Sequence, residues 1–446
     1  RDRRMTSLST LFIAGGLYLY MLGRRRLYDG KPGASIVLLG LLVFGSLAIL
    51  SKEIGALLPI YMLAIESSIF RFRDRSGRSD KFISWFFVFS VLLPVCLLLA
   101  WLAFHPSFVT GGYAGRDFTL SERLLTEARV LILYLKLIIM PSVSALGLQH
   151  DDISISTGLF DPKSTLYSVL TLLGLAATAF LAHRKSPLIS LSIFWFFTGH
   201  LMESTIWPLE IAHEHRNYLA SFGILLALTI TVTHLANRHP IKIITLGLPT
   251  LYLCMLAYTT SIRAQQWSNS VDHAIFEAVH HPQSYRAAVS AGNVYAQLAL
   301  NGQPELAKDA LDHWQRAEEL DQDNISHLAA QIKLSYRLDL PVNPWWFDEL
   351  EHRLKHGIFT FGHRDAISSL AACARDYCSI PDAQMQRLFN ALLENQGLKG
   401  RSRMHAEAIS LYAFYTINNL NDFDKGLGLF RKAVEIKPDE LQYRIN

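Results

Sequence analysis

"HLMESTIWPLEIAHEHRNYLAS", residues 200–221, stands between two apolar runs, "PLISLSIFWFFTG" (187–199) before it and "FGILLALTITVTHLA" (222–236) after it. It holds three glutamates, three histidines and one arginine. Charge placed between two helices greasy enough for lipid must pair, face a polar cavity or bind something. The question is which.

Half of the 446 residues are hydrophobic and 18% are charged, too apolar a balance for an ordinary soluble chain of this size. The apolar residues concentrate before about residue 262. The sequence therefore predicts an all-α protein in two parts, a polytopic transmembrane helix bundle over 1–262 and an aqueous helical domain over 263–446. Eight spans are expected, at 7–22, 35–51, 54–70, 83–104, 164–182, 187–206, 218–236 and 242–261. Walking them in order puts the basic loops "GRRRLYDGK", "RFRDRSGRSDK", "HRKSP" and "NRHPIK" on one side, as cytoplasmic loops require. The opposite side receives the turn "SKEIG", a long outer loop over 105–163, the "EHRN" junction and everything after Arg263. Within that loop "ERLLTEARVLILYLKLIIMP" is apolar enough to be a ninth span, which would flip every later basic loop. It is read instead as an interfacial amphipathic helix over 122–140, with Glu122, Arg123, Glu127, Arg129 and Lys136 as its polar side. The chain opens on Arg1 with no signal peptide ahead of its first apolar run, which reads as a fragment lacking its front. The net charge of +4 comes without a basic patch interleaved with aromatics, so no nucleic-acid partner is expected.

The map puts Lys52, Glu53, Glu203, Glu210, His213, Glu214, His215 and Arg216 at one depth on the outer side. Lys52 and Glu53 have almost no loop to hold them in water, so they either form a structural pair or help line a cavity. Arg and Lys at a lipid boundary suit a phosphate that cannot leave the membrane, and nearby carboxylates suit a sugar or a hydroxyl acceptor. A lipid-linked phosphosugar meets both needs. Zinc on His213 and His215 with Glu210 or Glu214 is the competing chemistry, on a weak spacing and without a nearby cysteine, so no metal is expected. Asn217, Tyr218 and Trp207 fit helix capping and interface anchoring as well as ligand contact. From the outer loop, "GGYAGRDF" and "LQHDDIS" add Tyr113, Arg116, Asp117, His150, Asp151 and Asp152, with two glycines to let the first stretch move.

After Arg263 the spacing changes to paired amphipathic helices. In the unit 404–440, Phe423, Gly426, Phe430, Ala433 and Pro438 sit at the offsets of a tetratricopeptide repeat; Gly292, Tyr295, Ala310, Trp314 and Ala317 trace an earlier unit. Three to five helix pairs are expected, with a poorly matching middle around "LPVNPWWF". Such solenoids bind peptides or proteins, or serve as scaffold. Cys96 and Cys254 lie in spans; Cys373 and Cys378 in "CARDYC" can pair only if their helix breaks between them.

"RRMTSLSTLF", the "SKEIGALLPIYMLAIE" hairpin, "PLEIAHEHRNYLAS" and the terminal repeats together resemble bacterial polytopic GT-C glycosyltransferases, similar to the transmembrane and tetratricopeptide-repeat-containing O-mannosyltransferases. That resemblance implies inverting transfer of a sugar from a polyprenyl-phosphate carrier to a protein or other envelope acceptor. The setting would be the outer side of a bacterial inner membrane, with the repeats periplasmic. It implies that Lys52 and Arg216 hold the donor phosphate and that Glu53 positions Lys52 or the sugar. No cofactor is implied, the lipid-linked sugar being substrate. The family's presumed catalytic carboxylate lies in a first outer loop, expected upstream of Arg1. Two other readings stand beside it: a membrane-anchored repeat scaffold without chemistry, and a lipid-linked oligosaccharide ligase or polymerase.

Overall fold

Helices that are hydrophobic on every side and still exposed make sense only in an apolar solvent. The helix Lys81–Phe104 has a mean hydropathy of 2.6 over its most apolar window, yet just 11% of that window is buried. Leu97, Leu99 and Phe104 on it are each 60% exposed or more, and so are Phe180 and Leu181 on the helix Ser164–Lys185. The computed structural model describes residues 2–238, 247–399 and 402–438. The basic stretch at 239–242 and the first residues of the last expected span lie outside the described residues. Over the described residues the chain is 78% helix and has no strand. It divides into two compact units, Arg1–Gln265 and Gln266–Asn446, against the boundary at 262 expected from the sequence.

The first unit contains α1 (Asp2–Tyr28), α2 (Ala34–Ser51), α3 (Glu53–Phe70), α4 (Lys81–Phe104), α5 (Leu120–Ile139), α6 (Ser164–Lys185), α7 (Pro187–His200), α8 (Asn217–Arg238) and α9 (Leu248–Ser268). Among the described residues six helices are long and apolar enough to cross a membrane: α1, α2, α3, α4, α6 and α8. The sixth expected span, 187–206, is helical only to His200, and α7 has 14 residues. Beyond it the chain runs irregularly to a short turn at Glu214–Arg216, because Glu203, Pro208 and Glu210 interrupt the apolar pattern. α7 packs on α6, α8 and α3.

The turn "SKEIG" works because of Gly55. A Cβ there would lie 2.3 Å from the carbonyl carbon of Ala48, so only glycine lets α3 start directly against the end of α2. Leu58, Tyr61, Met62 and Ile65 on α3 then bury against Ile13, Leu17 and Tyr20 on α1 and Ile83 and Phe87 on α4. At the far end of α3, Glu66 accepts hydrogen bonds from Tyr20 Oη (2.6 Å), Arg24 Nε (2.8 Å), Arg24 Nη2 (3.0 Å) and the Phe72 amide (2.8 Å). Arg24 and Glu66 are both fully buried. Arg71 and Phe72 follow with φ of 58° and 60°, an unfavourable left-handed pair that the Glu66 contact to the Phe72 amide holds in place. Arg24 thus leaves the basic loop that the sequence map assigned to water.

The second unit opens on α10 (Ser270–His280). Four helix hairpins follow among the described residues: α11 (Tyr285–Leu300) with α12 (Ala307–Leu320), α13 (Ser326–Arg337) with α14 (Pro344–His356), α15 (Phe361–Asp376) with α16 (Asp382–Glu394), and α17 (Ser402–Asn418) with α18 (Phe423–Ile436). The first helices α11, α13, α15 and α17 pack on one another in series. "LPVNPWWF" is a helix start, where the Asn343 side chain accepts from the Trp345 amide and Phe347 turns into the core. Glu318 on α12 ties two later helices, pairing with His327 on α13 and Arg353 on α14. Phe423 is exposed, so the aromatic that fills the last hairpin is Phe430, edge-on to Phe414 at 4.9 Å. α15 ends at Asp376, and that break lets Cys373 and Cys378 form a disulfide around the helix end.

Candidate functional site

α5 is built to hold the irregular segment that follows α7. Thr119 caps its first turn in a reciprocal pair with Glu122, which fixes where the helix starts and which residues share a face. Arg123, Glu127, Val130, Tyr134 and Leu137 then fall at helical spacing on one stripe, and all five are buried. The stripe meets the protein, so the expectation that Arg123 and Glu127 belong to a polar side turned to the interface is corrected. Lys136 is exposed.

Arg123 is the clamp. Its guanidinium donates to the carbonyl oxygens of Glu203 (2.8 Å), Thr205 (3.0 Å) and Leu209 (2.5 Å). An irregular chain has no ladder to satisfy its carbonyls, and one arginine serves three of them. Tyr134 closes the far end, donating to the His213 carbonyl at 3.0 Å and accepting from the His213 amide at 2.7 Å. From the outer loop Tyr113 Oη donates to Ile206 O (2.8 Å) and Arg116 Nε to Pro208 O (2.9 Å).

Inside this frame sits the cluster of charge. Lys52 Nζ lies 3.0 Å from Glu203 Oε1, with both side chains 7% exposed. Glu127 lies 2.7 Å from Arg123 Nη2, but the arginine's N–H groups aim at carbonyls, and neither Glu127 oxygen has an aligned donor among the described residues. Burial pushes the Glu127 carboxyl from its usual range up to about 7, although Arg123 and Arg216 pull it the other way. Burial likewise lowers Arg123. Ser204 faces Glu127 and Arg216 faces Tyr134, each favouring the ionised form of its neighbour.

The expected site residues divide into three groups. Lys52, Glu203 and Arg216 are buried in the first unit. Glu53 is exposed, and the ion pair of Lys52 is with Glu203. Arg216 donates to the carbonyls of Ile211 (3.1 Å) and Glu210 (2.9 Å), which spends both of its terminal nitrogens on backbone. The second group is half-buried and paired: Glu210 with His213 at 2.9 Å, the rings of His213 and His215 stacked at 5.2 Å, and Glu214 with the Gly147 amide at 2.6 Å and His150 at 3.5 Å. The zinc-type side chains of the junction therefore split, Glu210 toward His213 and Glu214 toward the outer loop. Asn217 starts α8 beside them, and Tyr218 is exposed. In the third group, Tyr113, Arg116 and Asp117 line one outer-loop cavity of about 370 Å³ together with Thr110, Phe118 and Glu122. Asp151 is exposed and Asp152 half-buried, in the loop that Arg129 holds through Ser154 O.

Arg123, Glu127 and Tyr134 are the members that the spacing of charges near the junction did not reveal. Their signal was the stripe itself, a charge pair four residues apart followed by Val130 and Tyr134 on the same face. No known protein family, curated protein or solved structure matches this chain.

Proposed function

We propose that the first unit binds a polyprenyl-phosphate-linked sugar at the Lys52–Glu203 pair and transfers the sugar to a protein or other envelope acceptor. In this reading α7 and α9 join α1, α2, α3, α4, α6 and α8 as spans, giving eight. The junction and the tetratricopeptide-like second unit face the outer side of a bacterial inner membrane, in the manner of the GT-C glycosyltransferases. The observation that carries it is the unsaturated state of the charge cluster. Lys52, Arg123 and Glu127 gather around the irregular segment that carries Glu203 and Arg216, and among the described residues neither Glu127 oxygen has an aligned donor. Charges that complete a fold are satisfied; charges kept in reserve at a lipid boundary wait for a ligand.

Lys52 is the residue to bind phosphate, since its ammonium carries three N–H groups and Glu203 takes one. Arg123 and Arg216 are positioning residues that hold the segment beneath it. The outer-loop cavity, with the rings of Tyr113 and Phe118 beside Arg116 and Asp117, suits the sugar's hydroxyls and faces. The disulfide of the second unit supports its placement outside the cytoplasm. The scaffold reading draws on the two arginines, whose donors go to backbone carbonyls as architecture requires.

The test is lipid binding by the full chain in nanodiscs, with undecaprenyl phosphate against undecaprenol. The phosphate should bind more tightly, Lys52→Met should weaken it by roughly ten- to a hundredfold, and Lys52→Arg should restore part. Equal binding of the two lipids, or undiminished phosphate binding by a folded Lys52→Met protein, defeats the reading and leaves the cluster as structure.

A further inference from the structure

Two carboxylates share the buried cluster of the first unit, and their charges are answered differently. Glu203 has the Lys52 ammonium at 3.0 Å. Glu127, 2% exposed, has Arg123 at 2.7 Å, but the guanidinium nitrogens donate to the carbonyls of Glu203, Thr205 and Leu209. Among the described residues neither Glu127 oxygen has an aligned donor. The sugar-transfer reading gives this carboxyl no task.

Its surroundings hold its proton in balance. The charged and titratable groups facing it come from its own helix, Arg123 and Tyr134; from the junction, Glu203, the Ser204 hydroxyl and Arg216; and from the outer loop, Tyr113. Burial favours the acid form, as does the Glu203 charge, while Arg123, Arg216 and Ser204 favour the carboxylate. These opposing influences leave it changing charge at about 7. A new charge nearby therefore shifts its protonation.

An anion on Lys52 acts on it twice over. It adds negative charge of its own, and it draws on the ammonium that answers Glu203, so that Glu203 acts on Glu127 with less compensation. Both effects penalise a second buried carboxylate. We infer that an anion binding at Lys52 is taken up together with one proton, which is held on Glu127 and released when the anion leaves. The proton comes from solvent, and the only bond made is the O–H bond on the Glu127 carboxylate. This coupling rests on the reading that Lys52 holds a lipid-linked phosphate, and it adds the proton to that reading. The carrier freed of its sugar is a phosphate monoester, which ionises twice and so brings more negative charge than the sugar-bearing diester. It is the ligand that needs the proton most.

The experiment is calorimetry on the full chain in nanodiscs of zwitterionic lipid, with undecaprenyl phosphate against undecaprenol. It runs from about pH 7 to about pH 8.5, where the phosphate is already doubly charged. Across that range the parent should lose about tenfold in phosphate affinity, as Glu127 ionises in the free protein. Binding heats in two buffers of different ionisation enthalpy should show about one proton taken up per phosphate at the upper end of that range. Glu127→Gln keeps the shape of the acid form, so at the upper pH it should bind as tightly as the parent does at the lower, with no proton uptake. Flat affinity without proton uptake, in a parent that still prefers the phosphate to undecaprenol, overturns the coupling and leaves the phosphate reading standing. Equal binding of the two lipids overturns both. A folded Glu127→Gln protein that keeps the parent's pH slope overturns the assignment to Glu127.

Discussion

α3 carries a buried ion pair at each end, and the two ends differ in how completely their charges are satisfied. At its last turn Glu66 receives four hydrogen bonds, and Arg24 spends a further N–H on the Arg73 carbonyl at 2.7 Å. At its start Lys52 meets a single oxygen of Glu203, near a Glu127 whose oxygens lack aligned donors. About twenty ångströms of helix separate these environments. Both bury charge, and burying charge is costly unless geometry and extra hydrogen bonds offset it. The last-turn end has most of that compensation, with Arg24 Nη1 alone left without a hydrogen bond 3.5 Å from Asp80, and behaves as a structural lock between α1 and α3. The unsaturated end lacks it, which is the condition expected of a site that takes its remaining partners from a ligand.

The sharpest way to break this comparison is to cut both pairs. Glu66→Gln strands a fully buried arginine and should destabilise the protein by about 3–5 kcal/mol. Lys52→Met should cost less, about 1–3 kcal/mol. Chemical unfolding in matched detergent, followed by helicity, measures both. Equal losses would mean that the two ends are the same kind of lock.

Next in size is the acid response of Glu127. Its carboxyl holds a proton up to about 7 in the folded chain against 4.5 when unfolded, so folding takes up a proton between those values. Stability should therefore be full below pH 4.5 and decline as pH rises through 7, by about 3 kcal/mol relative to a Glu127→Gln protein with a flat profile. Parallel profiles for the two proteins would show that Glu127 finds a compensating partner when charged.

The smallest effect belongs to the second unit. Cys373→Ser with Cys378→Ser should cost about 2 kcal/mol from the freed chain end. Chemical unfolding followed by helicity, for the parent and the double variant, measures it. Equal stability of the two proteins would show that the disulfide adds nothing to the end of α15.

Much of the helical plan could be read from the residues alone, because periodicity and length are local properties. The apolar runs at α1, α2, α3, α4, α6 and α8 and the paired amphipathic helices after Arg263 needed no knowledge of neighbours. The end of α7 at His200 did not show in the hydropathy of 187–206, since Leu201, Met202, Ile206 and Trp207 keep the average apolar while the backbone leaves the helix. The candidate site was legible in its residue types and only in part in its pairings. Charge at a junction announces that a partner is required, and it does not say which partner.

That choice belongs to tertiary structure. The sequence determined that Lys52, Glu203, Arg216 and the outer-loop residues would need polar company, because an unpaired charge in an apolar setting is too costly to keep. It equally determined that "SKEIG" turns tightly and that small residues let helices approach. Only the folded chain decided that Glu203 answers Lys52 across 151 residues and that Arg123 faces three carbonyls. Those outcomes depend on which faces of distant helices come together, and side-chain pairing over such separations is set by packing, to which no local pattern has access.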